Sequence, residues 1–110
     1  MNPYALLAAG ILAEIAGTTS LKLSNGFSKP LPSIGVLLGY GAAFYLVSLT
    51  LEELPLGLVY GTWAALGIVG VTAIGVVGFG ERLDAPAAAG VALIVAGVYC
   101  INVVSEMSVH

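Results

Sequence analysis

Glu14 is a lone carboxylate inside an apolar run that spans residues 3–21. It lies 11 residues after Pro3, about 16 Å into such a run at the helical rise. A carboxylate at that depth of a bilayer costs several kcal/mol if it faces lipid. It is therefore expected to face a protein interior or a wet cavity. Gly10, Gly17 and Thr18 stand at i−4, i+3 and i+4, on the same side of a helix. The glycines are expected to clear space beside the carboxylate, and the Thr18 hydroxyl to hold it. Three aromatic residues extend the chemistry. Tyr40 lies 11 residues from the far end of the second apolar run, a depth matching that of Glu14. Tyr60 and Trp63 are three apart, on one face of the third run, and Gly67 continues that face. Trp63 is the only tryptophan and sits about six residues inside its run, deeper than the usual interfacial belt. One carboxylate among aromatic faces suits a flat or quaternary cation, held by charge and cation–π attraction. Interface anchoring is the plainer reading of Tyr60, and simple packing that of Trp63.

These residues need elements that hold them at depth in lipid. Of 110 residues, 59% are hydrophobic and only 8% are charged. So small a body has much surface for its volume, and nine charged side chains cannot make that surface polar. Lipid is the natural surrounding. Apolar runs over about 3–22, 33–51, 56–79 and 86–104 are each long enough to cross a hydrocarbon core of roughly 30 Å. The connections between them are short. The first carries the turn dipeptide Asn25-Gly26, then Pro30 and Pro32; the second is Glu52-Glu53-Leu54-Pro55; the third runs Gly80-Glu81-Arg82-Leu83-Asp84. Pro86 suits the first turn of a helix. The expected fold is an all-α membrane protein: four transmembrane helices in an up-down-up-down bundle, one domain over residues 1–110.

Several classes are excluded. Net charge is −3 with three basic residues, which argues against nucleic acid. No residues remain for a soluble catalytic domain, so no enzyme is expected, and neither metal nor cofactor is called for. Cys100 reads as a small packing residue. The start, Met1-Asn2-Pro3-Tyr4, has no basic leader and reads as mature sequence. Glycines such as Gly67, Gly70, Gly75 and Gly78 lie inside spans, where small residues let helices approach closely. Gly90 and Gly97 share a face of the fourth helix, bordered by Ala89, Ala92 and Ala96. That stripe is open to two readings, packing within one chain or the seam of a dimer.

The mechanism these residues point to is exchange. A proton and a cation that both need the Glu14 carboxylate exclude one another. With alternating access, exclusion becomes antiport. Four helices are too few to enclose a cavity, so at least a dimer is expected, whose two Glu14 side chains titrate together.

The chain resembles the small multidrug resistance family of proton-coupled exporters. The matching segments are Met1-Asn2-Pro3-Tyr4, Ile11-Leu12-Ala13-Glu14, Gly17-Thr18-Thr19 and Ser24-x-Gly26-Phe27. They continue with Pro55-x-Gly57-x-x-Tyr60-x-x-Trp63, Gly67-Ile68-Val69 and Arg82-Leu83-Asp84-x-Pro86. The resemblance implies an antiparallel homodimer in the inner membrane. It implies proton and substrate binding at Glu14, aromatic lining by Tyr40, Tyr60 and Trp63, and a dimer seam at Gly90 and Gly97. Gly17 looks like the subtype that handles quaternary ammonium and aromatic dyes rather than guanidinium. Three positions depart from the pattern. Ala65 replaces a glycine of a kink in the third helix, Ala43 stands where serine is common, and Val59 replaces a usual alanine.

Rival readings share parts of this pattern. An exporter of a natural metabolite such as guanidinium or a polyamine would keep the fold and Glu14. One half of a paired heterodimer would as well. A rotary-ATPase ring subunit would not need aromatic residues at carboxylate depth, and an inert helper would not need Glu14. Basic residues bear on orientation: Lys22, Lys29 and Arg82 all fall on the membrane side opposite the termini. The other side carries only Glu52, Glu53, Glu106 and the terminal amine. That count favours the basic side in the cytoplasm, whereas an antiparallel dimer needs both orientations. Dual insertion is nonetheless expected, since three charges are a weak bias.

Overall fold

The structure is a computed structural model that describes residues 2–105. Glu106 and His110 lie outside the described residues, so the orientation argument drawn from that tail has no structural counterpart. Four α-helices follow in order: α1 (Pro3–Leu23), α2 (Pro30–Thr50), α3 (Leu56–Phe79) and α4 (Ala85–Tyr99). The last continues into one π-helical turn, Cys100–Val104. No strand occurs among the described residues. Each of the four spans has 20 to 24 residues and is apolar enough to cross a membrane. Large apolar side chains such as Leu31, Leu37, Val77 and Leu93 are exposed. Water would penalise such a surface, and lipid does not. The chain is thus an all-α protein of four membrane-spanning helices.

The helix ends follow local chemistry. The Asn2 side chain caps α1 by accepting from the Tyr4 amide at 2.8 Å. Asp84 caps α4 by accepting from the Ala87 amide at 2.9 Å. α3 stops at Gly80, whose φ of 68° is left-handed, a conformation that glycine adopts at no steric cost. α2 begins at Pro30, three residues before the boundary expected from its apolar pattern. Proline lacks an N–H and has the helical φ already, so Pro30 and Pro32 start a helix rather than delay one. The tight turn expected at Asn25-Gly26 is present. Asn25, Gly26 and Phe27 all have positive φ. Ser24, fully buried, ties the turn down: its hydroxyl donates to the Leu21 carbonyl and accepts from the Phe27 amide.

The chain divides into two compact units at Glu52/Glu53. In the first, α1 and α2 pack along their length, with Leu6, Leu7 and Ile11 of one helix and Val36, Ala43 and Val47 of the other buried. Their closest approach is backbone on backbone. A Cβ at Gly39 would lie 2.7 Å from the Cα of Gly17 and 2.9 Å from the Ala13 carbonyl oxygen. One turn away, a Cβ at Gly35 would lie 2.7 Å from the Ser20 hydroxyl. Gly39 of α2 thus lies against Ala13 and Gly17 of α1, and Gly35 against Ser20, small residues that let the two helices approach closely. In the second unit, Leu58, Val59, Thr62, Ala65, Gly67 and Gly75 of α3 are buried. By contrast α4 buries none of its residues.

The Gly39 contact carries a test. Gly39→Ala puts a methyl group into α1 backbone and is expected to destabilise the protein by about 1–3 kcal/mol, the range for overpacking. Gly41→Ala, whose Cβ would meet nothing within 4 Å, is the control and should be near neutral. Denaturation of detergent-purified protein measures both.

Candidate functional site: a carboxylate tied to two hydroxyls

Glu14 lies mid-way along α1 and is partly buried. One turn further on, the Thr18 hydroxyl donates to Glu14 Oε1 at 2.8 Å. The same Thr18 oxygen lies 2.6 Å from the Tyr40 hydroxyl on α2. A threonine hydroxyl has one proton. With that proton on the carboxylate, the Tyr40 phenol is the donor to Thr18. The order of donation is therefore Tyr40 to Thr18 to Glu14 while the carboxylate is charged. A protonated Glu14 can donate in its turn, and the chain of hydroxyls can then reverse. The hydrogen-bond chain thus links three groups on two helices.

Two glycines named from the sequence contribute in a different way from that expected. Both are buried, but α2 fills the space they leave. A Cβ at Gly17 would meet the Tyr40 amide nitrogen at 3.2 Å and its ring at 3.4 Å. A Cβ at Gly10 would meet Val47 at 3.3 Å and Leu46 at 3.4 Å. Small size at these positions admits the neighbouring helix, and Gly17 in particular admits Tyr40. Two further features had no place in the sequence reading. Gly39 faces Gly17 directly and sets the distance at which its neighbour Tyr40 meets α1. Phe44, one turn beyond Tyr40, stacks on its ring at 6.2 Å and 23°, a spacing that was visible in the sequence. Ala43 is fully buried, and its carbonyl oxygen would lie 3.5 Å from a Cβ at Gly10.

The second unit holds the other aromatic pair. Tyr60 and Trp63 meet edge to face, their ring centroids 6.2 Å apart and their planes at 90°. Tyr60 is largely exposed and Trp63 partly so. Val59 and Ala65 are buried. α3 continues as regular helix through Ala64, Ala65, Leu66 and Gly67. Beside the aromatic pair, Thr62 accepts a hydrogen bond from Asn102 at 2.8 Å. Neither residue was singled out from the sequence, although Asn102 is the only carboxamide in the fourth apolar run. The structure thus brings Glu14, Thr18 and Tyr40 together in one unit, and Tyr60 and Trp63 together in the other. On α4, a Cβ at Gly90 or Gly97 would meet nothing within 4 Å. Among the described residues, no three His, Cys, Asp or Glu side chains gather as metal ligands would.

Comparison with known proteins shows the family. The family model described as Small Multidrug Resistance protein matches residues 2–94. The chain belongs to the small multidrug resistance family. It is 44% identical to the multidrug transporter EmrE of Escherichia coli (strain K12) over 110 residues, the whole of both chains. It is also 44% identical to the quaternary ammonium compound-resistance protein QacF of Klebsiella aerogenes, again over the full length of both. The protein QacG of a Staphylococcus species, likewise described as a quaternary ammonium compound-resistance protein, is 45% identical over 94% of this chain and 96% of its own. Membership makes the chain a multi-pass inner-membrane transport protein and not an enzyme.

The hydroxyl chain has a measurable signature. Thr18→Val and Tyr40→Phe break the same link, so their effects on stability are not expected to add. A coupling of about 0.5–1.5 kcal/mol is expected for hydrogen-bonded partners in a membrane. Denaturation of the two single variants and the double variant supplies the cycle. Additive losses would mean that the two hydroxyls act independently.

Proposed function

We propose that this chain is a proton-coupled antiporter that exports cationic aromatic or quaternary ammonium compounds, with proton and substrate competing for Glu14. The observation that carries the reading is the carboxylate itself, the only acidic residue within the four spans, held mid-helix by Thr18, which is bonded in turn to Tyr40. Nothing in the packing of α1 on α2 requires a charge there. A packing role would be met by a neutral amide, at less cost in lipid. The names of the relatives, a multidrug transporter and quaternary ammonium compound-resistance proteins, point to the same class of cargo.

In this reading the charged carboxylate attracts the cation, and Tyr40 supplies an aromatic face on α2. Tyr60 and Trp63 supply further aromatic faces for the same cation, consistent with their depth in the third span. Gly10 and Gly17 let α2 close on α1, so that Tyr40 meets Thr18 and the site is assembled. When Glu14 takes up a proton, the attraction is lost and the cation leaves. When a cation binds, the proton leaves. Each turnover thus exchanges the two across the membrane.

The working unit in this reading is an antiparallel homodimer, joined through α4. Its support is that α4 buries nothing within its own chain, and that the faces at Gly90 and Gly97 are open. Small residues there would let a second α4 approach closely.

Two experiments test the proposal. Addition of tetraphenylphosphonium to the purified wild-type protein is expected to release protons into a weakly buffered solution. Glu14→Gln is expected to fold and to release none. Proton-coupled cation transport by that variant in liposomes would exclude Glu14 as the shared site. Gly97→Leu is expected to shift the detergent-solubilised dimer toward monomer in light-scattering measurements. A fully dimeric variant would place the contact elsewhere.

A further inference from the structure

Asn102 sits in the middle of the π-helical turn that ends the fourth span. The turn is closed by the Ser105 amide, which donates to the Cys100 carbonyl five residues back at 2.8 Å. A π turn holds one residue more than an α turn and shifts the phase of the residues after it; such turns are often found at functional sites. Within this turn the Asn102 amide nitrogen uses both its hydrogens. One goes to the Val98 carbonyl at 2.9 Å, one turn back on its own helix. The other goes to the Thr62 hydroxyl on α3 at 2.8 Å. Since the Val98 carbonyl can only accept, the nitrogen end of the amide is the end that faces it. The amide is therefore clamped to α4 and reaches across to α3 in a single orientation.

Its partner is placed to transmit that hold. Thr62 is buried. Its branched side chain has few rotamers in a helix, so fixing its hydroxyl fixes the local rotation of α3. Trp63 is the next residue, and Tyr60 precedes Thr62 by two. A rotation of α3 by one residue is about 100° and would swing both rings away from their present direction. Beside this bond, a Cβ at Gly61 would lie 3.6 Å from Ile101.

We propose that Thr62 and Asn102 are positioning residues whose hydrogen bond sets the direction of the Tyr60–Trp63 face, and hence the preference for cations that carry aromatic rings. This rests on the reading of that face as a cation-binding surface. Thr62→Val removes the hydroxyl and keeps the shape. In that variant the emission of Trp63, the only tryptophan, is expected to shift. Affinity for the planar cation ethidium is expected to fall by roughly three- to tenfold, the size of one such hydrogen bond in a membrane. Affinity for tetramethylammonium, which meets the rings by cation–π attraction alone and offers no ring to stack, should fall by clearly less. Asn102→Leu should reproduce these effects from the less buried side, also where Thr62→Val fails to fold. The double variant should add nothing further, and Thr62→Ser should restore the wild-type pattern. Unchanged emission and ethidium affinity in folded Thr62→Val or Asn102→Leu protein would overturn the proposal. So would an equal loss for both cations, which is what a merely structural bond would give. Trp63→Ala separates the two levels. If it leaves ethidium affinity unchanged, the aromatic reading of α3 fails, whereas the emission shift in Thr62→Val still tests the positioning.

Discussion

A carboxyl group inside an apolar layer has no water to solvate it, so the protein must supply the partners that water would have been. In this chain the partners depend on how closely two helices approach. Tyr40 reaches the Thr18 hydroxyl because Gly39, its neighbour, lies against the backbone of Gly17 with no side chain between them. Thr18 in turn holds Glu14. Any increase in the spacing of α1 and α2 at that point would lengthen the Tyr40–Thr18 bond first. The site is therefore as much a property of four small residues, Ala13, Gly17, Gly35 and Gly39, as of the groups that carry the chemistry.

The same dependence explains what was legible in the sequence. Depth is legible, because the rise of a helix is constant and the apolar runs mark where each span begins. Glu14 and Tyr40 were matched in depth on that basis, and they share a hydroxyl in the structure. The face of a single helix is legible too, which is how Thr18 was tied to Glu14 and Tyr60 to Trp63. What occupies a face is not. Gly10 and Gly17 stand on the Glu14 side of α1, and periodicity alone does not distinguish a glycine that leaves a cavity from one that admits a helix. The structure has α2 in that space. Gly35 and Gly39 carry a recognisable spacing, but their partner on α1 depends on crossing geometry that no one-helix pattern contains. The start of α2 at Pro30 shows a similar limit. A proline after a turn reads equally as loop or as first helical residue, until its neighbours decide.

Packing is uneven along the chain, and the unevenness has a physical meaning. α1 and α2 bury apolar residues on both sides of a long contact. α4 buries none, and Asn102 supplies the polar bond between its π-helical end and α3. In lipid there is no hydrophobic force to drive helices together, so van der Waals contact and hydrogen bonds decide which pairs are rigid. By that measure the pair that holds the carboxylate is the rigid one. In the pair that carries Tyr60 and Trp63, α4 buries nothing, and one directional bond lies next to the aromatic face. In the proposed exchange of protons for cations, this division would have a use. The charge needs a fixed place, since its energy in an apolar medium depends steeply on its partners. Aromatic faces that meet cargo of different sizes gain from a looser support, provided that their direction is kept.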